Sequence, residues 1–347
     1  MSCIHISKRF VSIFFLVLAL IAPVYVFAAS LCCQISSGYH GSLTEGSLPE
    51  PGRLSMQLSY SFSMMDDLRE GTNRKSLRKV MDEGKYRKLP VDMQMIKYNV
   101  TAKRDFSDKI SVLASIPYIR NTMDMKMRMA MEMEVKWRDH AMDPVQGLGD
   151  LTAMGLYHLY PKGENIKSDI LTFGLGVKLP TGSSTERKNS GKFIHAHMQP
   201  GTGSWDPLFS AMYTKDLSPF LFQTDLTYQL TTRNPDGYEF GDSFTANIVG
   251  LYALSSSFNI LSAVTYLHVD KAKDREGKYT DLSSLMDDPK NTGGDSIWIS
   301  PGIKVRPFKN TDTSFDLRTQ IPIWERVNGT QLVSTYRILT GLTFNFR

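Results

Sequence analysis

Residues 147–182 read GLGDLTAMGLYHLYPKGENIKSDILTFGLGVKLPTG, and this stretch decides the fold class. Apolar and polar residues alternate from Leu151 to Leu159 and again from Leu171 to Leu179, with a polar break between the two runs. A period of two over a run of about ten residues indicates a strand with one apolar and one polar face. The stretch therefore predicts consecutive antiparallel strands.

The N-terminus carries an export signal. Basic residues precede the apolar run Phe10–Ala22, and small residues end at Ala28, so we predict a cleaved signal peptide over residues 1–28. An uncleaved membrane anchor is one alternative, because the apolar region reaches the length that spans a bilayer. A lipoprotein is another, although a bulky leucine precedes Cys32. All three interpretations predict export.

Composition and charge exclude several functional classes. The chain has 347 residues and a net charge of +5, which falls to +3 without the two signal-peptide cations Lys8 and Arg9. This charge is too small to predict nucleic-acid binding. The two cysteines that remain after cleavage, Cys32 and Cys33, form no disulfide framework. No later apolar run approaches the ~20 residues of a membrane helix, so the mature chain crosses a membrane as a β-barrel or not at all.

Twelve alternating runs follow an irregular segment, residues 29–52, which we expect to lie in the periplasm or to plug the lumen. The runs are 54–64, 94–103, 110–118, 150–160, 170–179, 205–214, 220–231, 243–253, 258–268, 296–306, 314–323 and 333–346. Short and long connections alternate between them, and the last long one is predicted at residues 325–331. Short periplasmic turns and long external loops are typical of outer-membrane barrels. We therefore predict an all-β, transmembrane, antiparallel up-and-down barrel of about twelve strands over residues 53–347. Because proline lacks a ladder donor, we expect bulges at Pro207 and Pro301.

The faces of the runs favour a barrel over a soluble β-sandwich. No charged residue lies on the predicted outward face, whereas the lumen face carries seven basic and four acidic residues: Lys97, Lys103, Asp150, Lys178, Asp206, Asp225, Lys304, Arg306, Asp316, Arg318 and Arg337. Aromatic residues gather at both ends of the apolar face. The external set is Tyr60, Phe62, Tyr98, Tyr118, Trp205, Tyr228, Phe244 and Tyr266, and the periplasmic set is Tyr157, Tyr213, Phe222, Tyr252, Phe258, Phe315, Phe344 and Phe346. Two aromatic girdles indicate the outer membrane of a Gram-negative bacterium, with its lipid as a partner.

Three motifs carry a family resemblance: GLGD at 147–150, LPTG at 179–182 and GTGSWD at 201–206. They resemble a bacterial outer-membrane transporter family associated with the meta pathway of phenol degradation. The resemblance covers most of the mature chain in strand order. It implies a channel for a small-molecule permeant, with apolar and aromatic compounds as candidates, and no enzymatic activity.

The glycines of these motifs could also form a phosphate cradle. However, neither a helix nor a Gly-Lys-Ser/Thr sequence follows them, so we expect no cofactor and interpret them as joints between external loops and strands.

Five charged residues with lumen parity are candidates to face a permeant: Asp150, Lys178, Asp206, Arg318 and Arg337. An outer-membrane hydrolase is the rival class, but no serine nucleophile motif accompanies the rim histidine His268.

Methionine recurs every second residue in the loop after the third run, at Met123, Met125, Met127, Met129, Met131 and Met133. Three interpretations stay open. The loop is a hairpin whose methionine face packs on the rim, or it is a capture surface for apolar solutes, because methionine adapts to varied partners. The third is a soft metal site, such as one for copper, completed by His195, His197 and Met198, because thioethers and imidazoles suit copper.

Overall fold

The computed structural model describes residues 49–130, 135–160, 169–188, 190–307 and 312–346. The predicted signal peptide, most of the segment 29–52, and Met131 and Met133 lie outside the described residues. Among the helices that the structure describes, none combines the length and apolar character needed to cross a bilayer.

The described chain is mostly strand. The sixteen strands are β1 (Leu54–Gly71), β2 (Asn73–Arg74), β3 (Lys88–Asp105), β4 (Ile110–Ala130), β5 (Val135–Ala141), β6 (Val145–Leu148), β7 (Leu151–Leu159), β8 (Asp169–Leu179), β9 (Asp206–Leu217), β10 (Phe220–Gln229), β11 (Tyr238–Glu239), β12 (Ser243–Ala253), β13 (Phe258–Val269), β14 (Lys273–Asp274), β15 (Gly294–Val305) and β16 (Thr313–Phe346). One helix, α1 (Leu77–Asp82), and two 3-10 turns, Ala196–Met198 and Pro289–Asn291, lie in the external segments. Each of the twelve predicted runs coincides with one of these strands or with part of β16, and none extends more than two residues beyond it.

Eleven of these elements form one closed antiparallel barrel. Each pairs with the next along the chain in the order β1, β3, β4, β7, β8, β9, β10, β12, β13, β15, β16, and β16 pairs back with β1. The closing pair runs in register from Leu54 opposite Phe346. The predicted fold class is therefore confirmed.

The last element contains two barrel segments joined by a tight turn. Its first part pairs with β15 and its second part with β1, and the two pairings meet at Val327. The turn contains Asn328 and Gly329, and Gly329 has a φ of +63°. Asn345 donates a backbone hydrogen bond to Asp312 at 3.0 Å, so the two segments lie side by side. The barrel thus has twelve segments, and the long loop predicted at 325–331 is wrong, because an Asn-Gly pair favours a two-residue hairpin turn.

The outward face is apolar and bounded by aromatic rings. Tyr60 pairs across the sheet with Tyr98, and Tyr98 pairs with Tyr118, which places three tyrosines at one height near the external end. At the periplasmic end the rings of Phe220 and Tyr252 lie 4.7 Å apart. Between the rings, exposed leucines, valines and isoleucines face outward, as an outer-membrane barrel requires.

Neither Pro207 nor Pro301 shifts the register. Pro207 pairs with Val177, and Pro301 pairs with Ser262, in regular ladders. Pairing of β15 with β16 lapses only over Ser300 and Pro301, and the register is the same on both sides. The bulges expected at these positions are therefore wrong: a missing N–H removes a ladder bond without adding a residue. Register shifts occur instead in extended external parts of strands, such as between Met64 and Asp67.

Three strands continue far beyond the external girdle. β1, β3 and β4 extend past the ends of their predicted runs, and β5 pairs with the extension of β4 as a hairpin. The inward face of these extensions packs together with the loops that follow β8 and β13. The external end of the barrel is therefore covered by a core of its own.

Candidate functional site at the external mouth

The three sequence motifs meet in one place at the external rim. Gly149, Gly182 and Gly201 pack backbone against backbone: a Cβ at Gly201 would lie 2.4 Å from the carbonyl oxygen of Gly182, and one at Gly182 would lie 2.8 Å from Gly149. Thr181 donates its hydroxyl hydrogen bond to the Gly149 carbonyl at 3.1 Å. The glycines are thus needed because no side chain fits between the segments.

A buried charge cluster fixes this contact. Lys178 lies 2.6 Å from Asp206 and 3.6 Å from Asp150, and the side chains are 3%, 0% and 5% exposed. Asp150 also accepts hydrogen bonds from the backbone N–H of Gly182 at 3.0 Å and of Thr202 at 2.8 Å. Asp150, Lys178 and Asp206, predicted separately as lumen residues, therefore form one structure that ties the loop after β8 to the barrel wall.

Two further aspartates hold other segments of the external rim together. Asp242 accepts hydrogen bonds from Tyr228 at 2.8 Å and from the Thr231 N–H at 2.7 Å. Asp295 lies 2.7 Å from His268 and accepts a hydrogen bond from Arg326 at 2.9 Å. His268, considered for the hydrolase alternative, is thus held in a rim ion cluster.

Below the rim lies a cavity of about 60 Å³. Its apolar lining includes Met95, Ile119 and Phe240, and its polar lining includes Lys97, Lys178, Asp150, Asn121, Gln229 and His197. The cavity therefore has a mixed apolar and polar wall, as sites for small molecules commonly do.

A methionine-rich core separates this region from the exterior. We use "methionine core" for the buried cluster of Met65, Leu68, Val80, Tyr86, Leu89, Met93, Met95, Met123, Met125, Val145, Met198, Leu285, Met286 and Leu332, with Leu77, Met81, Trp137, Met142 and Ile194 packed against it. Nine of these residues are methionines, seven buried and two partly buried. Such a core is adaptable, because methionine has three rotatable bonds and a polarisable sulfur.

The structure places the regularly spaced methionines of the β4–β5 hairpin in different environments. Met123 and Met125 are buried in the methionine core, Met127 is half-buried, and Met129 is 45% exposed near the tip of the hairpin. The first of the three interpretations, a hairpin whose methionine face packs on the rim, thus describes Met123 and Met125.

The two histidines of the loop after β8 occupy buried positions beside this core. His195 Nδ1 contacts the Asp287 carboxylate, and His197 Nε2 lies 3.4 Å from the hydroxyl of Tyr238. Burial, together with the nearby His195, lowers the pKa of His197 to about 4. His197 is therefore a neutral imidazole at physiological pH.

The two remaining predicted lumen residues lie apart from this site. The guanidinium of Arg337 lies 4.0 Å from the ring centre of Trp298, and Arg318 lies 3.7 Å from Asp316. Deeper in the barrel, Lys103 lies 3.1 Å from Asp105, an acidic residue just beyond its predicted run. Paired charges of this kind offset the basic excess counted on the lumen face.

His158 lies at the periplasmic end within a hydrogen-bonded chain. Its Nε2 is 2.8 Å from the Ser111 hydroxyl, its Nδ1 is 2.8 Å from Thr172, and Ser111 donates to Asp105 at 2.6 Å. Ser111 is fully buried, which leaves a substrate no access to its hydroxyl. The arrangement therefore serves the packing of the lumen.

Sequence reasoning missed the contribution of the loop between β14 and β15. Leu285 and Met286 join the methionine core, and Asp287 holds His195. No periodic pattern marks this loop, so the sequence shows Asp287 only as an aspartate in a polar segment. Its partner lies 92 residues earlier.

Comparison with known proteins places the fold. No family model matches the chain, and no curated protein matches it. An outer-membrane channel from Pseudomonas putida F1 superposes with a TM-score of 0.55 at 13% identity, covering 87% of this chain and 98% of that one. A Pseudomonas aeruginosa FadL homologue gives 0.44 at 11% identity, covering 93% and 100%, and the P. putida toluene transporter TodX gives 0.44 at 6%, covering 86% and 91%.

The likeness to the first channel is one of fold, since its identity is low, and the two weaker superpositions add no argument. The resemblance to the phenol meta-pathway family stays a prediction from three motifs. Closed wall, outward apolar band and aromatic girdles together make this chain an outer-membrane β-barrel of the kind found in Gram-negative bacteria.

Proposed function

We propose that this protein is an outer-membrane channel for small apolar or aromatic solutes, with the methionine-rich mouth as their first contact. The observation that carries the proposal is the contact between the methionine core and this mixed-wall cavity, with Met95 belonging to both. A solute entering from outside would pass from one to the other.

The chemistry of the mouth supports an apolar solute. Flexible thioether side chains can repack around ligands of different shape, which is why methionine-rich surfaces bind varied partners. Below them, Ile119 and Phe240 continue the apolar wall, while Asn121 and Gln229 offer hydrogen bonds. Sites for small molecules combine an apolar lining with a few polar groups in this way.

An uptake experiment tests this proposal. The protein is expressed in Gram-negative cells with an intact lipopolysaccharide layer, and entry of labelled toluene at low concentration is measured. Uptake above that of cells without the protein is expected. Ile119→Trp, which fills the cavity, should remove most of this increase.

The matched control is Leu148→Trp. Leu148 lies on the outward face opposite Tyr118 and is 56% exposed, so the same indole added there meets lipid and should leave uptake unchanged. Heat-modifiable migration in gels verifies that both variants fold. Equal uptake by Ile119→Trp and the unaltered protein would rule out a path through this cavity.

The contribution of the methionine sulfur atoms can be tested separately from that of apolar contact. Replacing Met123, Met125 and Met198 by leucine retains apolar contact but removes sulfur, so uptake of an apolar solute should persist. Loss of uptake in this folded variant would show that packing alone does not explain the role of the mouth.

A further inference from the structure

We propose that the external mouth binds one soft monovalent cation, Cu(I), through the His197 imidazole and the Met286 thioether, with the His195 imidazole beside them. The proposal does not rest on the transport of apolar solutes, although His197 also lines the cavity described above.

The first support is the way in which both imidazoles are held. His195 has one ring nitrogen on the Asp287 carboxylate, and His197 has one near the Tyr238 hydroxyl. The other nitrogen of each ring, Nε2 of His195 and Nδ1 of His197, is buried with no hydrogen-bond partner among the described residues. Metal-ligating histidines usually have this pattern, in which an outer partner fixes the ring and leaves the second nitrogen for the ion.

The second support is a small pocket between the loop after β8 and the loop before β15. His197, Met286 and Gln331 line it together. Gln331 is 2% exposed, and its Oε1 is also buried without a hydrogen-bond partner. Two residues with an unsatisfied buried polar atom and one thioether residue thus line the same pocket, and an unsatisfied buried polar atom requires an explanation.

The donor types select the ion. The described residues contain no group of three or more His, Cys, Asp or Glu placed to hold a metal, which argues against a zinc or calcium site there. Thioether and neutral imidazole donors favour Cu(I). Met286 is itself a member of the methionine core, which also contains Met198. The competing occupant is a single buried water, which would bind no metal.

The test is an anaerobic titration of the folded, full-length chain in detergent with Cu(I), in competition with a chromophoric Cu(I) chelator. All proteins carry Cys32→Ser and Cys33→Ser, because vicinal thiols bind Cu(I) by themselves. We expect one bound equivalent. X-ray absorption of that complex should show both nitrogen and sulfur neighbours.

Two variants and two matched controls locate the site. His197→Gln and Met286→Leu should each weaken Cu(I) binding at least tenfold, and Asp287→Asn should weaken it by about tenfold through the His195 ring. His140→Gln and Met129→Leu make the same changes at exposed positions of the β4–β5 hairpin and should bind as the parent does.

Failure to bind Cu(I) would overturn the proposal and leave a water molecule as the occupant. Unchanged affinity in both His197→Gln and Met286→Leu would likewise overturn it, because the ion would then lie elsewhere in the methionine core. If His197→Gln does not fold, as judged by heat-modifiable migration, the near-isosteric Met286→Leu decides. Toluene uptake is measured separately, so either proposal can fail while the other stands.

Discussion

Lys178 and Asp206 form an ion pair of 2.6 Å inside the external rim, with both side chains almost completely shielded from solvent. Lys178 is on β8 and Asp206 begins β9, so the pair fixes the two strands where the long loop between them leaves the barrel. Asp150, at the start of β7, joins the same ammonium group. Three neighbouring strands thus share one cation.

Removing this cation should be costly. Lys178→Met leaves two buried carboxylates without their counter-charge, and breaking a buried pair from one side typically costs 3–5 kcal/mol, so we expect a loss of about 4 kcal/mol in the free energy of unfolding. Urea unfolding in lipid vesicles measures it. Lys126→Met is the control, because Lys126 pairs with the 83% exposed Asp139 and should change stability by less than about 1 kcal/mol. Equal losses would contradict a special role for the rim cluster.

A methyl group at Gly201 should disrupt the contact between the motifs. Gly201→Ala places a Cβ 2.4 Å from the Gly182 carbonyl oxygen, so the backbones must separate, at about 1–3 kcal/mol. Gly155→Ala adds the same methyl on the lipid face, where the nearest atom is 3.9 Å away, and should be nearly neutral. Unfolding free energies of the two variants provide the measurement. A stable Gly201→Ala barrel would show that the three segments can separate freely.

The methionine core predicts that the same substitution destabilises the protein by different amounts at different positions of one hairpin. Met125→Ala creates a cavity in a buried cluster and should destabilise the protein by about 2–5 kcal/mol, or unfold the external region locally. Met129→Ala, at a 45% exposed position, should change stability by less than about 0.5 kcal/mol. Proteolysis of the β4–β5 hairpin, compared between the variants, detects local opening. Similar resistance to protease would argue that the hairpin is held by its ladder alone.

The loop between β14 and β15 should loosen in acid. Partial burial raises the pKa of the Asp281 carboxyl, but the hydrogen bonds from Lys88 and Ser283 have a larger, opposite effect. The pKa of Asp281 therefore lies well below the ordinary value. A lowered carboxyl pKa stabilises the fold above the unfolded pKa of about 4, and this contribution is lost as the pH falls through the lower folded pKa.

Hydrogen exchange of the Leu285 amide, which donates to the Lys88 carbonyl at 3.0 Å, reports this opening. The protection factor of this amide, which corrects for the slower intrinsic exchange in acid, should fall below pH ~4 in the parent. In Asp281→Asn the protection factor should already be low at neutral pH, and the acid step should shrink. A parent-like rate in Asp281→Asn at neutral pH would contradict the role of this ion pair.

The membrane-spanning part of the fold could be predicted from the sequence because lipid imposes a rule on every second residue. Alternation from Leu54 to Met64 locates β1, and the same pattern recurs in the other runs. Above the girdle that rule stops, so the sequence predicts a loop where β1 continues to Gly71, and only the period of the methionines indicates an extended hairpin where β4 continues to Ala130. These extensions are strands because their inward residues join the methionine core, which tertiary packing alone determines.

The candidate site was predictable only where its residues lie on alternating strands. Asp150, Lys178 and Asp206 have lumen parity, and that parity is correct, but nothing in the sequence places them around one cation. His195 and Asp287 come from separate loops, and their contact depends on how both fold over the mouth. Contacts between distant irregular segments have no periodic signal.

The pairing of Leu54 with Phe346 also determines when the barrel can complete its folding. The wall is completed only by contact between the two ends of the described chain, so until the last strand arrives β1 presents a long unpaired edge that invites aggregation. Pairing across such a sequence separation is slow. We therefore expect truncation of the last strand to leave the edge of β1 unpaired and to reduce the amount of folded protein.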